Sequence, residues 1–259
     1  MFAGANPGAN AVYNLGPPPH TVTASGADDL HTRVSMHDTT IVFDLDGTLV
    51  DTAPDLMGCI DRIMVAKGLR PVPHELLRPL ISIGSKAMLT RALEHNGKTL
   101  PEDQFMDWWQ EYLALYATHI ADTSRPFPGL IGALDRLQAA GARLAVCTNK
   151  GEALSRKLLG ELNLLDRFSA LAGRDTFVRC YKPNPEHLLG TIRLAGGAPQ
   201  RAVMIGDSDI DVAAGKNAAV PVIGVTFGYT PAPIASFGPA AVIDHYDELY
   251  GAIETIMAR

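Results

Sequence analysis

An α/β fold, with a parallel sheet covered by helices on both faces, is predicted by three observations. From residue 130 onward, short apolar runs alternate with segments of helical period. Those runs, such as Arg143–Cys147 and Ala202–Ile205, are mostly apolar rather than alternating, which marks strands buried on both faces. One more run of that kind, Thr40–Phe43, stands far upstream, and the stretch between has helical period and no strand signal.

The elements follow in order. Thr40-Ile41-Val42-Phe43 is rich in β-branched and aromatic residues, and Gly47 breaks it, so it reads as the first strand. Leu56, Ile60, Ile63 and Met64 recur at helical spacing, and Gly68 ends that helix. A second helix runs from Lys86 to about Glu94. A third, opened by Pro101, carries Phe105, Trp108, Trp109, Tyr112, Leu115 and Tyr116, an aromatic stripe assigned to helix packing or a subunit contact. The helical block 52–122 follows the first strand directly, which makes it a lid over that strand's carboxyl end. After Pro126-Phe127-Pro128-Gly129 the expected order is helix 130–140, strand Arg143–Cys147, helix 151–160, a short strand near 168–172 and helix 184–195. Strand Ala202–Ile205, helix 210–217, strand Val220–Val225, a short strand at Val242-Ile243 and a final helix 246–257 complete the chain.

The 259 residues suffice for a large domain, or for a core domain with a smaller one. The net charge of −6 gives no basic surface for nucleic acid or an anionic membrane. The sequence has no apolar run long enough to span a bilayer. Cys59, Cys147 and Cys180 are scattered, with neither disulfide nor zinc spacing, which fits a reducing, cytoplasmic setting. Residues 1–37, with Gly16-Pro17-Pro18-Pro19, lack apolar period and are expected to be a disordered tail without the layout of a secretory signal. Met36 is the expected natural start, or else the tail is dispensable.

The candidate chemistry gathers at strand ends. Asp44-Leu45-Asp46-Gly47-Thr48 leaves the first strand with Asp44 and Asp46 on one side, since residues two apart point the same way. An Asp-Gly turn with solvated acids is the alternative. Cys147-Thr148-Asn149 ends a later strand, where a hydroxyl and an amide could bind a phosphate oxygen or merely cap a helix. Lys182-Pro183-Asn184-Pro185 holds a lysine on a stiffened loop, either free on the surface or neutralising phosphate and carboxylate together. Gly206-Asp207-Ser208-Asp209-Ile210-Asp211 puts Asp207 at a strand end and Asp211 one helical turn on, while Asp209 points away. Such an acidic set suits a hard cation such as Mg2+, with Lys182 offsetting charge on a phosphate.

These four motifs, in this order over about residues 40–259, resemble those of the haloacid dehalogenase-like hydrolase superfamily. The resemblance implies a Rossmann-like core domain (38–52 and 124–259) and a small α-helical cap domain (53–123) inserted after the first strand. It implies Asp44 as a nucleophile forming an aspartyl-phosphate, Asp46 as acid and base, and Thr148 and Lys182 as phosphate ligands. Asp44, the Asp46 carbonyl and Asp207 would hold Mg2+, with Asp211 supporting the site. The second acid, Asp46, points to a phosphatase or phosphomutase rather than an ion pump or a dehalogenase.

Within the superfamily the chain looks most like the phosphoglycolate phosphatase family. The similarity rests on Asp44–Thr52, Ile83-Gly84-Ser85-Lys86, Gly173-Arg174-Asp175-Thr176-Phe177, Lys182–Pro185 with His187, and Gly224-Val225-Thr226-Phe227-Gly228-Tyr229. Val178-Arg179-Cys180-Tyr181 departs from the pattern and leaves the geometry of the lysine loop open. The expected activity is that of a phosphoric monoester hydrolase on 2-phosphoglycolate. Thr148, Asn149, Lys182, Gly84, Ser85 and Lys86 would contact this small-molecule ester, in a monomer or homodimer. The alternatives are a related phosphatase or mutase for a sugar phosphate, nucleotide or pyrophosphate, and a catalytically silent binding protein.

Overall fold

The computed structural model describes Met1 and residues 36–258. The expected tail disorder falls almost wholly outside the described residues. Met36 is buried, and its amide donates to the Ala140 carbonyl at 3.2 Å. The strands are β1 (Thr40–Phe43), β2 (Val50–Asp51), β3 (Arg125–Pro126), β4 (Arg143–Cys147), β5 (Ala170–Ala172), β6 (Ala202–Gly206), β7 (Val222–Val225) and β8 (Ala241–Ile243). The helices are α1 (Ala53–Ala66), α2 (His74–Leu77), α3 (Ser85–His95), α4 (Glu102–Thr118), α5 (Leu130–Ala139), α6 (Glu152–Glu161), α7 (Pro185–Leu194), α8 (Asp209–Ala218) and α9 (Leu249–Met257). Among the described residues no helix is long and apolar enough to cross a membrane.

Six strands form one sheet in the order β5-β4-β1-β6-β7-β8, every neighbouring pair parallel. β1, β6 and β7 are buried throughout, as the mostly apolar runs require, whereas the edge strand β8 leaves Val242 exposed. Ile41 and Phe43 of β1 join one core, shared with Leu130 and Leu134 of α5, Leu158 of α6 and Ile253 of α9. Val42 points the other way, into a core with Leu188 and Ile192 of α7 and Val212 of α8. A slip of one residue would exchange these two sets, so the register Phe43↔Val146 and Phe43↔Ile205 is fixed by packing. Burying a side chain of this size contributes about 1.5–3 kcal/mol.

β1 lies between β4 and β6, and the chain departs in opposite directions on its two sides. That is the switch point of a doubly wound sheet, where a crevice opens beyond the carboxyl ends of the strands. The helices α1 to α4 are inserted between β1 and β4 and contribute no strand to this sheet. One feature departs from expectation. Val50–Asp51 and Arg125–Pro126 pair antiparallel at the two ends of this insert. Strands of two residues carry no period, so pattern reading passes over them. Asp55, in the first turn of α1, reinforces the crossing: its carboxylate accepts from Ser124 N and Oγ, both at 2.7 Å, and from Thr123 N and Oγ1.

Candidate active site

The first acid is carried by β1. Asp44 N donates to the Ile205 carbonyl at 2.9 Å, so the ladder extends one residue beyond the strand and fixes the Asp44 backbone. The chain then turns at Gly47, whose φ is +85°. A Cβ there would stand 2.6 Å from Asp207 Oδ2, so Gly47 serves both the turn and the close approach of Asp207. A Cβ on Gly228 would lie 2.2 Å from Asp207 Cβ. Asp207 is thus seated between two glycine backbones. Its Oδ2 also accepts from Tyr229 N at 2.7 Å.

Asp211 comes from the first turn of α8. Ser208 caps that helix in a reciprocal box: Ser208 N and Oγ donate to Asp211 Oδ2 at 3.1 and 2.7 Å, and Ser208 Oγ accepts from Asp211 N. Asp209 is exposed, as its spacing predicts. Asp44, Asp207 and Asp211 are all buried, and one carboxylate oxygen from each lies within 4.8 Å of the others. The carboxylate of Asp46 is not in that group.

Lys182, 2% exposed, points into the acids, with its Nζ 2.7 Å from Asp44 Oδ1 and 2.7 Å from Asp211 Oδ1. Its loop contains the cis Lys182–Pro183 bond, and Asn149 Nδ2 donates to the Lys182 carbonyl at 3.0 Å. His187 holds it from below: Lys182 N donates to Nδ1 at 3.1 Å, and Nε2 lies 3.0 Å from the Gly173 carbonyl. Burial, reinforced by the nearby Lys182 charge, pulls the His187 pKa down to about 4, so the ring is neutral and Nε2 carries the proton. In the unusual segment Val178–Tyr181, Arg179 takes a φ of +53° and Arg174 stacks 3.8 Å over the Tyr181 ring.

The electrostatics follow from burial. Burial pushes the Asp44 carboxyl up to about 7, with Asp211 adding to it and Lys182 opposing. Asp207 is driven well above the usual carboxylate range by burial and then by the charges of Asp211 and Asp44. Burial disfavours the Lys182 ammonium, but Asp211 and Asp44 outweigh it and hold its pKa above the usual value. Asp44 Oδ1 is buried without an aligned hydrogen bond, facing the lysine only as an ion pair. Three crowded, buried oxygen ligands with an excess of negative charge fit a divalent cation.

Asp46 faces a cavity of about 580 Å3 that also exposes Asp44, Thr148, Asn149 and Lys182 on the sheet side. Gly84, Ser85, Lys86, Trp109 and Tyr116 line it on the helical side. Thr52 Oγ1 donates to Asp46 Oδ1 at 2.7 Å. Lys86 is exposed, its Nζ 4.4 Å above the Trp109 ring, while Trp109 Nε1 donates to Ser85 Oγ at 3.0 Å. The aromatic stripe therefore does more than pack helices, since Trp109, Tyr112 and Tyr116 wall the cavity.

Sequence reasoning passes over Lys150 and takes in Tyr229 only within the segment Gly224–Tyr229, with no role assigned. Lys150 follows Thr148-Asn149 directly, and its Nζ reaches both Asp46 oxygens, at 3.0 and 3.3 Å, and Tyr116 OH at 2.8 Å. Position at a strand end was the available signal. Tyr229 OH accepts from Thr52 N at 2.6 Å and Ala53 N at 3.0 Å, and donates to Asp51 Oδ1 at 2.8 Å. It thereby caps α1, whose own cap residue Thr52 spends its hydroxyl on Asp46.

Comparisons with known proteins agree with this geometry. Residues 41–225 match the haloacid dehalogenase-like hydrolase family. A phosphoglycolate phosphatase of Agrobacterium fabrum is 45% identical over 212 residues, which are 82% of this chain and 91% of that one. One of Caulobacter vibrioides is 40% identical over 226 residues, 86% and 95% of the two chains. The crystal structure of a predicted phosphoglycolate phosphatase from Haemophilus somnus 129PT superposes with a TM-score of 0.78 at 28% identity, covering 84% of this chain and 98% of that one. With motifs, sheet order and family match in agreement, the chain belongs to the haloacid dehalogenase-like hydrolases.

Proposed function

We propose that this chain is a Mg2+-dependent phosphatase that hydrolyses 2-phosphoglycolate to glycolate and phosphate. The observation that carries the reading is the buried pairing of Asp44 with Lys182 beside Asp46, at the mouth of a cavity with anion-binding groups. The names of the relatives supply the substrate.

Asp44 attacks phosphorus through a carboxylate oxygen, and the bond from phosphorus to the ester oxygen breaks. Asp46 gives its proton to that oxygen, glycolate leaves, and an aspartyl-phosphate remains. A water then attacks phosphorus, Asp46 takes its proton, and the bond to Asp44 breaks to free phosphate. An anionic nucleophile meets an anionic phosphate with a repulsion of about 4 kcal/mol per charge pair at 4 Å and an effective dielectric of 20. Lys182 offsets that repulsion, and Thr148 donates to a phosphate oxygen. Asp44, Asp207 and the Asp46 carbonyl would hold Mg2+, with Asp211 orienting Lys182. When bound, the ion supplies positive charge against the transferring phosphoryl group. Asn149 acts through the Lys182 loop, and Gly84, Ser85 and Lys86 form the outer wall of the substrate site.

The helical residues 53–123 serve as a cap over a core of 38–52 and 124–259. A second reading, a phosphatase for a larger sugar phosphate, is favoured by the cavity volume, which exceeds what a two-carbon ester fills. Phosphate release with Mg2+ decides between them, measured on 2-phosphoglycolate beside a panel of phosphomonoesters. A kcat/KM at least tenfold above the panel, about 1.4 kcal/mol of transition-state preference, supports the first reading. Preference for a sugar phosphate supports the second. Asp44→Asn is expected to abolish turnover with the circular dichroism spectrum intact, and retained turnover would remove the nucleophile assignment.

A further inference from the structure

We propose that Lys150 reads the carboxylate of the substrate and, in binding it, gives up its hold on Asp46. The inference deepens the proposed phosphoglycolate activity and rests on it. Lys150 has a side chain only 6% exposed, yet its Nζ reaches the cavity, where it touches Asp46 at 3.0 and 3.3 Å and Tyr116 OH at 2.8 Å. The Asp46 side chain is 15% exposed, so this is a largely dehydrated ion pair, costly to break unless another anion takes the lysine.

The other cations that line the cavity have different engagements. Lys182 is taken by Asp44 and Asp211. The Arg174 guanidinium lies on the Tyr181 ring, and Lys86 is exposed over Trp109. Lys150 alone among them touches Asp46, the group assigned to the ester oxygen. In 2-phosphoglycolate a single methylene separates that oxygen from the carboxylate carbon. Any pose that sets the ester oxygen against Asp46 therefore brings the carboxylate within reach of a donor that already contacts Asp46.

The exchange has a direct consequence for the acid. Asp46 Oδ1 accepts from both Thr52 and Lys150, and Oδ2 accepts from Lys150. Once the lysine turns to the substrate, Oδ2 faces the ester oxygen in place of an ammonium and can hold the proton, drawn from solvent, that Asp46 then gives up, while Thr52 keeps the carboxyl in place. Tyr116 OH, on the helical insert, retains Lys150 at the cavity wall during the exchange. A phosphate ester without a carboxylate leaves Asp46 held by Lys150 and is turned over poorly. Lys150 is thus a specificity-determining residue.

The test compares 2-phosphoglycolate with ethyl phosphate, which lacks the carboxylate, on full-length wild type, Lys150→Met and Lys150→Arg. The ratio of the two kcat/KM values is expected to fall by roughly 10- to 100-fold in Lys150→Met, the range for a lost hydrogen bond between charged groups. Lys150→Arg, which keeps the charge, is expected to recover part of that ratio. Equal losses on both esters in Lys150→Met, leaving the ratio unchanged, would overturn the inference. Should Lys150→Met fail to fold, Lys150→Gln, which removes the charge but keeps a polar side chain, takes its place, and equal losses on both esters in that variant would overturn the inference. Wild-type enzyme with no preference for 2-phosphoglycolate would refute the underlying substrate reading instead.

Discussion

Removing the Tyr229 hydroxyl is expected to destabilise the fold far more than a surface Tyr→Phe change. The hydroxyl accepts from Thr52 N and Ala53 N and donates to Asp51 Oδ1. Thr52 and Ala53 are fully buried, so in Tyr229→Phe neither amide can turn to water. A buried donor left unsatisfied costs about 1–3 kcal/mol, and the half-exposed Asp51 carboxylate finds solvent. The sum, after partial relaxation, is about 2–4 kcal/mol. At about 2–4 °C per kcal/mol for a fold of this size, the melting temperature should drop by roughly 5–15 °C. Urea unfolding measures the free energy directly, with an unchanged m-value showing that the two end states keep their compactness. A loss below about 1 kcal/mol would refute the reasoning, because it would mean that the first amides of α1 have another partner.

Two further outcomes are expected. Asp55→Asn should cost about 2–4 kcal/mol at pH 7, since it sets an amide donor against backbone and hydroxyl donors. Burial pushes the Asp55 pKa up, but the hydrogen bonds from Thr123 and Ser124 outweigh it and hold it below the usual value. The native state therefore favours the charged form, and the stabilisation is complete above about pH 3.9 and lost as pH falls through the folded pKa. The gap between wild type and Asp55→Asn should close below about pH 4 in acid unfolding curves, and a gap constant down to pH 2 would contradict the assignment. Addition of Mg2+ to EDTA-treated protein should raise thermal stability, by about 2.7 kcal/mol at a hundredfold excess over Kd, and Asp207→Asn should remove most of that rise. An equal rise in the variant would take Asp207 out of the cation site.

What the sequence made legible is what has a short-range signature. The strands of the main sheet announce themselves as mostly apolar runs, and Asp44, Thr148, Lys182 and Asp207 stand where such runs end or a stiffened loop follows. The structure brings these residues together as expected, with Asp211 beside them. Roles that depend on distant partners left no mark. Lys150 meets Asp46 across 104 positions, and Tyr229 meets Thr52 across 177. Asn149 reads as a phosphate ligand because an amide at a strand end can be one, and in the structure it lines the cavity while its Nδ2 also donates to the Lys182 carbonyl, a contact with a residue 33 positions away that leaves no local mark. The β2–β3 pair escaped notice because two residues are too few to show a period. Gly228 stands only within the segment Gly224–Tyr229 that carries the family similarity; its physical necessity is visible only once Asp207 lies against it.

The antiparallel pairing of Asp51 with Arg125 has a consequence for how such a chain can change. The chain leaves the sheet body and returns to it at adjacent points, pinned together by Asp55. Whatever lies between those points acts as a parenthesis in the fold. Its helices can lengthen, shorten or be exchanged without altering the distance the backbone must span. The acids and the lysine beneath are anchored to the sheet and remain in place through such changes. The acids, Lys182 and Lys150 are thus written in the sheet body, while the facing wall of the cavity, with Gly84, Ser85, Lys86, Trp109 and Tyr116, is written in the parenthesis and can be rewritten without moving them.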